Sequence, residues 1–264
     1  MSREEIHTKS IIEKNELINK PFYKRQWVKE IFIFLVALLV YQVSRALAIG
    51  DADIAFKHAH QIIALEKMMG IFTEIPVQQF FLENQELLKA LNAFYIRAHL
   101  PVTILFFVWM FNKRKEFYPT VRNIFLVANG IAILFYIFYP CAPPRMINEE
   151  GFVDTLLVIS EIDLYEGKLS NTFNQYAAVP SMHFGYSLFV GFVSFFLAPN
   201  LLIKILASIY PIFVLIVIVA TGNHFYLDAV IGGLVMMAAY PVYVGWMKTF
   251  KADTFKLPKL VYMR

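Results

Sequence analysis

The sequence has a single cysteine, Cys141, so no disulfide can form within the chain. Charged residues are scarce at 17%, against 58% hydrophobic, and 26 of the 264 residues are phenylalanine. A soluble domain of this length needs no such apolar surface, whereas a membrane protein does. Internal repeats and low-complexity tracts are absent. No cleavable signal pattern opens the chain. About 29 polar residues of mixed charge lead into "IFIFLVALLVYQVSRALAIG", which reads as a retained span.

What is present is a series of long apolar runs. A bilayer core takes about 20 apolar residues per helix. Six segments meet that need, at roughly 30–49, 92–111, 121–141, 181–198, 201–220 and 225–247. The expected fold is all-α: an integral membrane six-helix bundle with short amphipathic surface helices in the first outer loop. Its parts are an N-terminal segment over 1–29, a membrane catalytic domain over 30–247 and a basic tail over 248–264.

Basic residues set the orientation of such a bundle. With six spans, 17 of the lysines and arginines fall on one side, among them Lys113, Arg114, Lys115 and Lys204. Only Lys57, Lys67, Lys89, Arg145 and Lys168 fall on the other. Both termini are therefore expected in the cytoplasm, and residues 50–91, 142–180 and 221–224 on the opposite face. That face is the outside of a bacterial inner membrane or the lumen of a eukaryotic one. The pI of about 9.0 comes from membrane-edge residues and does not point to nucleic acid.

The expected outer face collects unusual polar residues. In "TGNHFYLDAV", His224 and Asp228 are four apart and share a helix face. A carboxylate beside an imidazole fixes its tautomer and raises its basicity, which suits a nucleophile or general base. In "AVPSMHFGYS", Pro180 and Ser181 mark a helix start. Free N–H groups at such a start favour an anion, and His183 stands in the first turn beside it. In "YPCAPPRMINEEG", Pro140, Pro143 and Pro144 stiffen a turn that presents Arg145, whose planar fork suits phosphate. Each motif alone also fits an interfacial residue without a task. Together they supply what phosphoryl or phospho-head-group transfer needs.

The order Pro-Pro-Arg, Pro-Ser-x-His and His-x-x-x-Asp, each at the outer end of a span, resembles the type 2 phosphatidic acid phosphatase superfamily. "YPCAPPRM", "AAVPSMH" and "TGNHFYLDAVIGG" look most like its branch related to inositol phosphorylceramide synthases. The resemblance runs from about residue 92 to 245. It implies a six-span bundle, with His224 as the nucleophile that forms a phosphohistidine. It also implies that Asp228 orients His224, that His183 protonates the leaving group and that Arg145 clamps phosphate. The family's Ser-Arg upstream of the nucleophile is here Val217 and Ile218, no lysine stands shortly before Arg145 as the family has it, and Met146 follows Arg145 where a proline is usual. Two phosphate cations of the pattern are thus missing. A phosphodiester carries less charge than a phosphomonoester, so the chain reads as a head-group transferase before a phosphatase.

Further candidates for substrate binding are Ser181 and Asn223 within the motifs, and Arg97 and His99 in the outer half of the second span. Ionisable groups at membrane depth are functional candidates by default, and Arg97 and His99 are placed to supply the missing cation. "DADIAFKHAHQIIALEKMMGIF" is amphipathic and suited to the membrane surface, with His58 and His60 expected to face solvent. His183, His224 and Asp228 could also form a two-histidine, one-carboxylate metal site. No His-x-x-x-His or Glu-x-x-His pair involves them, so no metal and no cofactor is expected.

The expected partners are the membrane, a phospholipid donor, and an acceptor that is a lipid alcohol (a ceramide or a diacylglycerol) or water. The chain is expected to be a lipid phosphotransferase. A lipid phosphatase shares the same chemistry, and a non-catalytic transporter or scaffold is the reading from another class.

Overall fold

The computed structural model describes residues 25–47, 52–164 and 174–250. Most of the expected N-terminal segment and basic tail, and the loop residues 165–173, lie outside them. The chain divides into two compact units, residues 1–44 and 45–264. The first contributes most of an apolar helix, α1 (Gln26–Leu47), with Phe32, Leu35 and Leu39 exposed as lipid contact requires.

The second unit is built from helices. In order they are α2 (Ala52–Met69), α3 (Glu74–Leu82), α4 (Gln85–Ala93), a π-helical turn (Phe94–Ala98), α5 (His99–Lys113) and α6 (Tyr118–Phe138). Two 3₁₀ turns follow at Pro144–Met146 and Asn148–Glu150, then α7 (Thr155–Ser160), α8 (Met182–Leu197), α9 (Leu201–Ala220) and α10 (Tyr226–Phe250). α8 packs against α9 and α10, and α10 against α6.

Five helices among the described residues are long and apolar enough to cross a membrane: Gln26–Ser44, Gln85–Lys113, Tyr118–Phe138, Leu201–Ala220 and Tyr226–Thr249. α8 is as apolar, but its 16 residues rise only about 24 Å, against a hydrocarbon core of about 30 Å. The segment expected as the second span, 92–111, is the later part of a longer run. α4, the π turn and α5 continue into one another from Gln85 to Lys113.

The amphipathic stretch 51–72, expected on the membrane surface, forms a single helix, α2, and α3 follows just beyond it. α2 buries Ala55, Ala59, Ile62, Ile63 and Glu66 along one stripe. Its neighbour α3 buries Glu74 and Gln78. His60 is exposed as expected and meets Glu149 at 3.1 Å. His58 differs. Its Nδ1 lies 2.7 Å from the Pro140 carbonyl and its ring stacks on Tyr139 at 3.9 Å. The imidazole is therefore half-buried and ties α2 to the proline-rich turn.

Helix starts follow the local sequence. Ser181 caps α8 through Phe184 N–H at 3.4 Å, and Asn200 caps α9 through Ile203 N–H at 3.0 Å. α9 ends at Gly222, which holds φ +68, a conformation only glycine takes without strain. Gly232 on α10 faces the start of α8 so closely that a Cβ there would stand 2.1 Å from the Ser181 carbonyl oxygen. That approach sets the distance between the two helices at the end where the polar residues lie.

Gly232→Ala should therefore destabilise the bundle by roughly 1–3 kcal/mol or more through overpacking. Gly130, with open space around it in α6, is the control. Gly130→Ala should be neutral or stabilising, since alanine is the better helix former by about 0.5–1 kcal/mol. Thermal unfolding of both variants in detergent checks this. Equal stability for the two would remove the close approach from the account.

Candidate active site

The three motif loops meet through backbone hydrogen bonds. Cys141 N–H donates to the Tyr176 carbonyl at 2.8 Å, and Ala178 N–H donates back to the Cys141 carbonyl at 3.2 Å. Arg145 N–H donates to the Gly222 carbonyl at 2.8 Å, and Ser181 N–H to the Asp228 carbonyl at 2.9 Å. Each loop is thus pinned to the other two. The side chains of Arg145, His183, His224 and Asp228 come together although the outermost of them are 83 residues apart.

His224 is buried. Its Nδ1 lies 3.0 Å from the Ala178 carbonyl and 3.5 Å from Asp228 Oδ2. A carbonyl can only accept, so Nδ1 carries the proton and Nε2 keeps a lone pair. Nε2 is itself buried and has no hydrogen-bond partner in the protein. The tautomer expected to come from Asp228 is set first by the nearer backbone carbonyl of the Pro-Ser motif. Asp228, fully buried, also accepts Phe225 N–H at 2.9 Å, so it fixes the start of α10 as well as facing the imidazole.

His183 stands 5.8 Å from His224 between ring centroids and 4.7 Å from His99. Tyr95 stacks on its other face at 4.2 Å. His99 is buried, with Nδ1 3.1 Å from the Tyr210 hydroxyl and Nε2 without a protein partner. It therefore joins the cluster.

Arg97 does not. Its side chain is exposed on the π turn and lines a separate groove with Lys89, Ser160 and Glu161. Neighbouring positions on this turn thus face opposite ways, with Tyr95 and His99 inward and Arg97 outward.

Arg145 is buried and held rather than snorkelling. It donates from Nη1 to Asn223 Oδ1 at 2.5 Å, and its Nε stands 3.6 Å from Asp154 Oδ2. Asn223 is anchored in turn, donating to Thr221 Oγ1 at 2.7 Å. Asn223 thus orients the guanidinium. Ser181, fully buried, spends its hydroxyl on the helix cap. Val217 and Ile218, at the positions of the missing Ser-Arg, are packed in apolar clusters, but the Ile218 carbonyl accepts both Asn223 N–H and His224 N–H. The backbone role of that segment persists without its charge.

Several residues at the site were not foreseen. Tyr95 and Tyr210 hid among many aromatics that serve as an interface belt. Glu66 and Glu74 are fully buried, and their carboxylates accept Leu227 N–H at 2.8 Å and Tyr226 N–H at 3.0 Å, next to His224. Glu66 carried a legible signal, since it falls on the apolar stripe of α2, three residues after Ile63. Gln78 clamps the cap loop from the same side, exchanging two hydrogen bonds with Val153 at 2.9 and 3.0 Å. Among the described residues no group of three or more His, Cys, Asp or Glu is placed to hold a metal ion.

No curated protein and no solved structure matches the chain. A family model described as the PAP2 superfamily matches residues 60–242, about two thirds of the chain, and spans all three motif loops. This chain, a multi-pass helical membrane protein with its polar cluster inside that match, belongs to the PAP2 superfamily.

Proposed function

We propose that the chain is a lipid phosphotransferase working through a phosphohistidine on His224. The observation that carries the reading is the bare Nε2 of His224, made available because Nδ1–H is committed to Ala178 and Asp228. In the first step the Nε2 lone pair attacks phosphorus of a phospholipid head group. The bond from phosphorus to the diacylglycerol oxygen breaks, and His183 gives that oxygen its proton. In the second step a lipid alcohol attacks the phosphohistidine. Its proton passes to His183, and the N–P bond breaks. Arg145 and the N–H groups at the start of α8 hold the non-bridging oxygens. His99 and Tyr210 extend the polar wall towards the acceptor.

Two features support a phosphodiester donor and a lipid acceptor. Apolar Val217 and Ile218 leave the site poor in the charge that a dianionic monoester demands. A groove of about 360 Å³ is walled mostly by apolar side chains, among them Val102, Val190, Ile203, Ala207 and Phe213, and Tyr210, the hydrogen-bond partner of His99, also lines it. An acyl or sphingoid chain fits such walls. We further propose that α8 serves as a sixth, short span. Residues 30–247 then form one membrane domain with both termini cytoplasmic, and the site lies on the opposite face, sunk by the shortness of α8.

Purified chain incubated with mixed phospholipids, with and without ceramide and with EDTA throughout, should yield a new head-group-bearing lipid by mass spectrometry. Release of inorganic phosphate alone would make it a phosphatase. Dependence on added zinc would revive the metal site.

His224→Ala should lose both turnover and any acid-labile phosphoenzyme. His183→Ala should lose about 10²–10⁴-fold with ordinary lipids, the worth of a general acid. It should still form phosphoenzyme from a donor whose leaving group needs no proton. Full activity in both variants would end the mechanism, and phosphoenzyme in His224→Ala alone would exchange the two roles.

The orientation has its own check. Cys141 is buried and burial pushes its thiol pKa up, so it should not react. Glu149→Cys, at an exposed position, should be labelled by an impermeant thiol reagent in intact cells. Labelling only after lysis would reverse the assignment of faces.

A further inference from the structure

We infer that Glu66 and Glu74 form a carboxyl pair with one proton between them, and that this pair positions the helix carrying His224 and Asp228. The first three N–H groups after His224 all end on carboxylates. Phe225 donates to Asp228 Oδ2 at 2.9 Å, Tyr226 to Glu74 Oε1 at 3.0 Å and Leu227 to Glu66 Oε1 at 2.8 Å. Two of these carboxylates come from the outer helices α2 and α3, more than 150 positions earlier in the chain. A helix N-terminus attracts negative charge, which explains why acids gather there. It does not explain how three of them stay buried together.

Three ionised carboxylates in one dry pocket repel one another, and at least one must take up a proton. The remaining oxygens, Glu66 Oε2, Glu74 Oε2 and Asp228 Oδ1, are buried without another partner. Glu66 and Glu74 sit side by side on the adjacent amides of Leu227 and Tyr226, where one proton between them can serve both their free oxygens. Burial, the hydrogen bond from Glu74 and the charges of Glu74 and Asp228 together push the Glu66 pKa up to about 9, against the opposing pull of Leu227 N–H. The groups facing the pair are Asp228 and, behind it, His224 on α10. Tyr139 and Cys141 share the field of Asp228 from the proline-rich turn. Lys67, next along α2, turns away to Glu150 at 2.7 Å.

One consequence bears on the proposed reaction, on which only the kinetic arm below rests. With its first amides occupied, α10 offers no N-terminal anion site. Phosphate is left to Arg145 and the start of α8, and α10 is free to act as the mount for the nucleophile. The helices α2 and α3 are then structural parts of the site and not a cover laid over it.

The sign of the pH effect follows from the raised pKa. An unfolded glutamate gives up its proton near 4.5 and the folded Glu66 near 9. Stability from this group is complete below the lower value and declines as pH rises through the interval between them. Glu66→Gln imitates the protonated form. It can accept from Leu227 N–H and donate to Glu74, and it should flatten that decline.

The test uses the full-length chain in nanodiscs. Infrared spectra at pH 7 should show a buried protonated carboxyl that disappears above about pH 9 and is missing from Glu66→Gln. Thermal unfolding of Glu66→Gln should vary less with alkaline pH than that of the parent chain. In turnover, Glu66→Ala and Glu74→Ala should lose roughly ten- to a hundredfold in kcat with little change in KM, as misplacement of a nucleophile does. Glu66→Gln should recover most of that loss and lack the alkaline limb of the pH profile. Absence of the protonated carboxyl at neutral pH overturns the pair whatever the catalytic outcome. So does a Glu66→Gln chain as crippled as Glu66→Ala, since that would mean the charge and not the shared proton is needed. Failure to turn over any lipid would count against the phosphotransferase reading alone, because the infrared and unfolding measurements do not depend on it.

Discussion

The site depends on a small set of backbone hydrogen bonds that tie three loops into one body. Cys141 pairs with Tyr176 and Ala178, Arg145 with Gly222, and Ser181 with Asp228. None of these bonds uses a side chain, so the loops would hold the same relation through many substitutions. Their geometry is possible because Gly232 lets the Ser181 backbone settle against α10 and because Gly222 turns sharply enough to present its carbonyl to Arg145. Once the loops are joined, the placement of His183, His224 and Arg145 follows from their positions a residue or two away.

The surrounding solvent explains why so much hydrogen bonding converges there. In a membrane the backbone must satisfy itself, and a helix end inside the protein has no water to turn to. Here the ends are closed by other parts of the chain. Ser181 caps α8 with its own hydroxyl, the Ile218 carbonyl receives the amides of Asn223 and His224, and carboxylates receive those that follow. Polar groups that would be costly in isolation become the framework of the site. Besides one oxygen each of Glu66, Glu74 and Asp228 and Nε of Arg145, Nε2 of His224 and of His99 are left without a hydrogen-bond partner in the protein, and these two are the atoms the proposed reaction uses.

The charge balance of the cluster bears on the phosphate chemistry proposed for it. Arg145 is partly neutralised by Asp154 and oriented by Asn223, and carboxylates crowd the far side of His224. Under the proposed reaction this balance favours a substrate of low charge, held by hydrogen bonds and a nearby guanidinium. The acids are separated from it by the imidazole of His224, which they support from behind. Attraction on one face and basicity from the other come from the same arrangement.

Much of this was legible along the chain. The long apolar runs, the helix starts at Ser181 and the spacing of His224 and Asp228 are local properties, set by hydropathy, capping chemistry and the helical repeat, and they are visible without any fold. The outward-facing Arg97, the Tyr210 partner of His99, the stacking of His58 on Tyr139 and the carboxylates on α10 were not, because each depends on which helix lies next to which. Nor was the Ala178 carbonyl, which lies nearer to Nδ1 of His224 than Asp228 does. The sequence by itself determined that this is a helical membrane protein with its candidate site residues at the ends of its helices. Only the tertiary structure decided which of those residues share one pocket, since contacts between residues far apart in the chain are fixed by packing and not by local pattern.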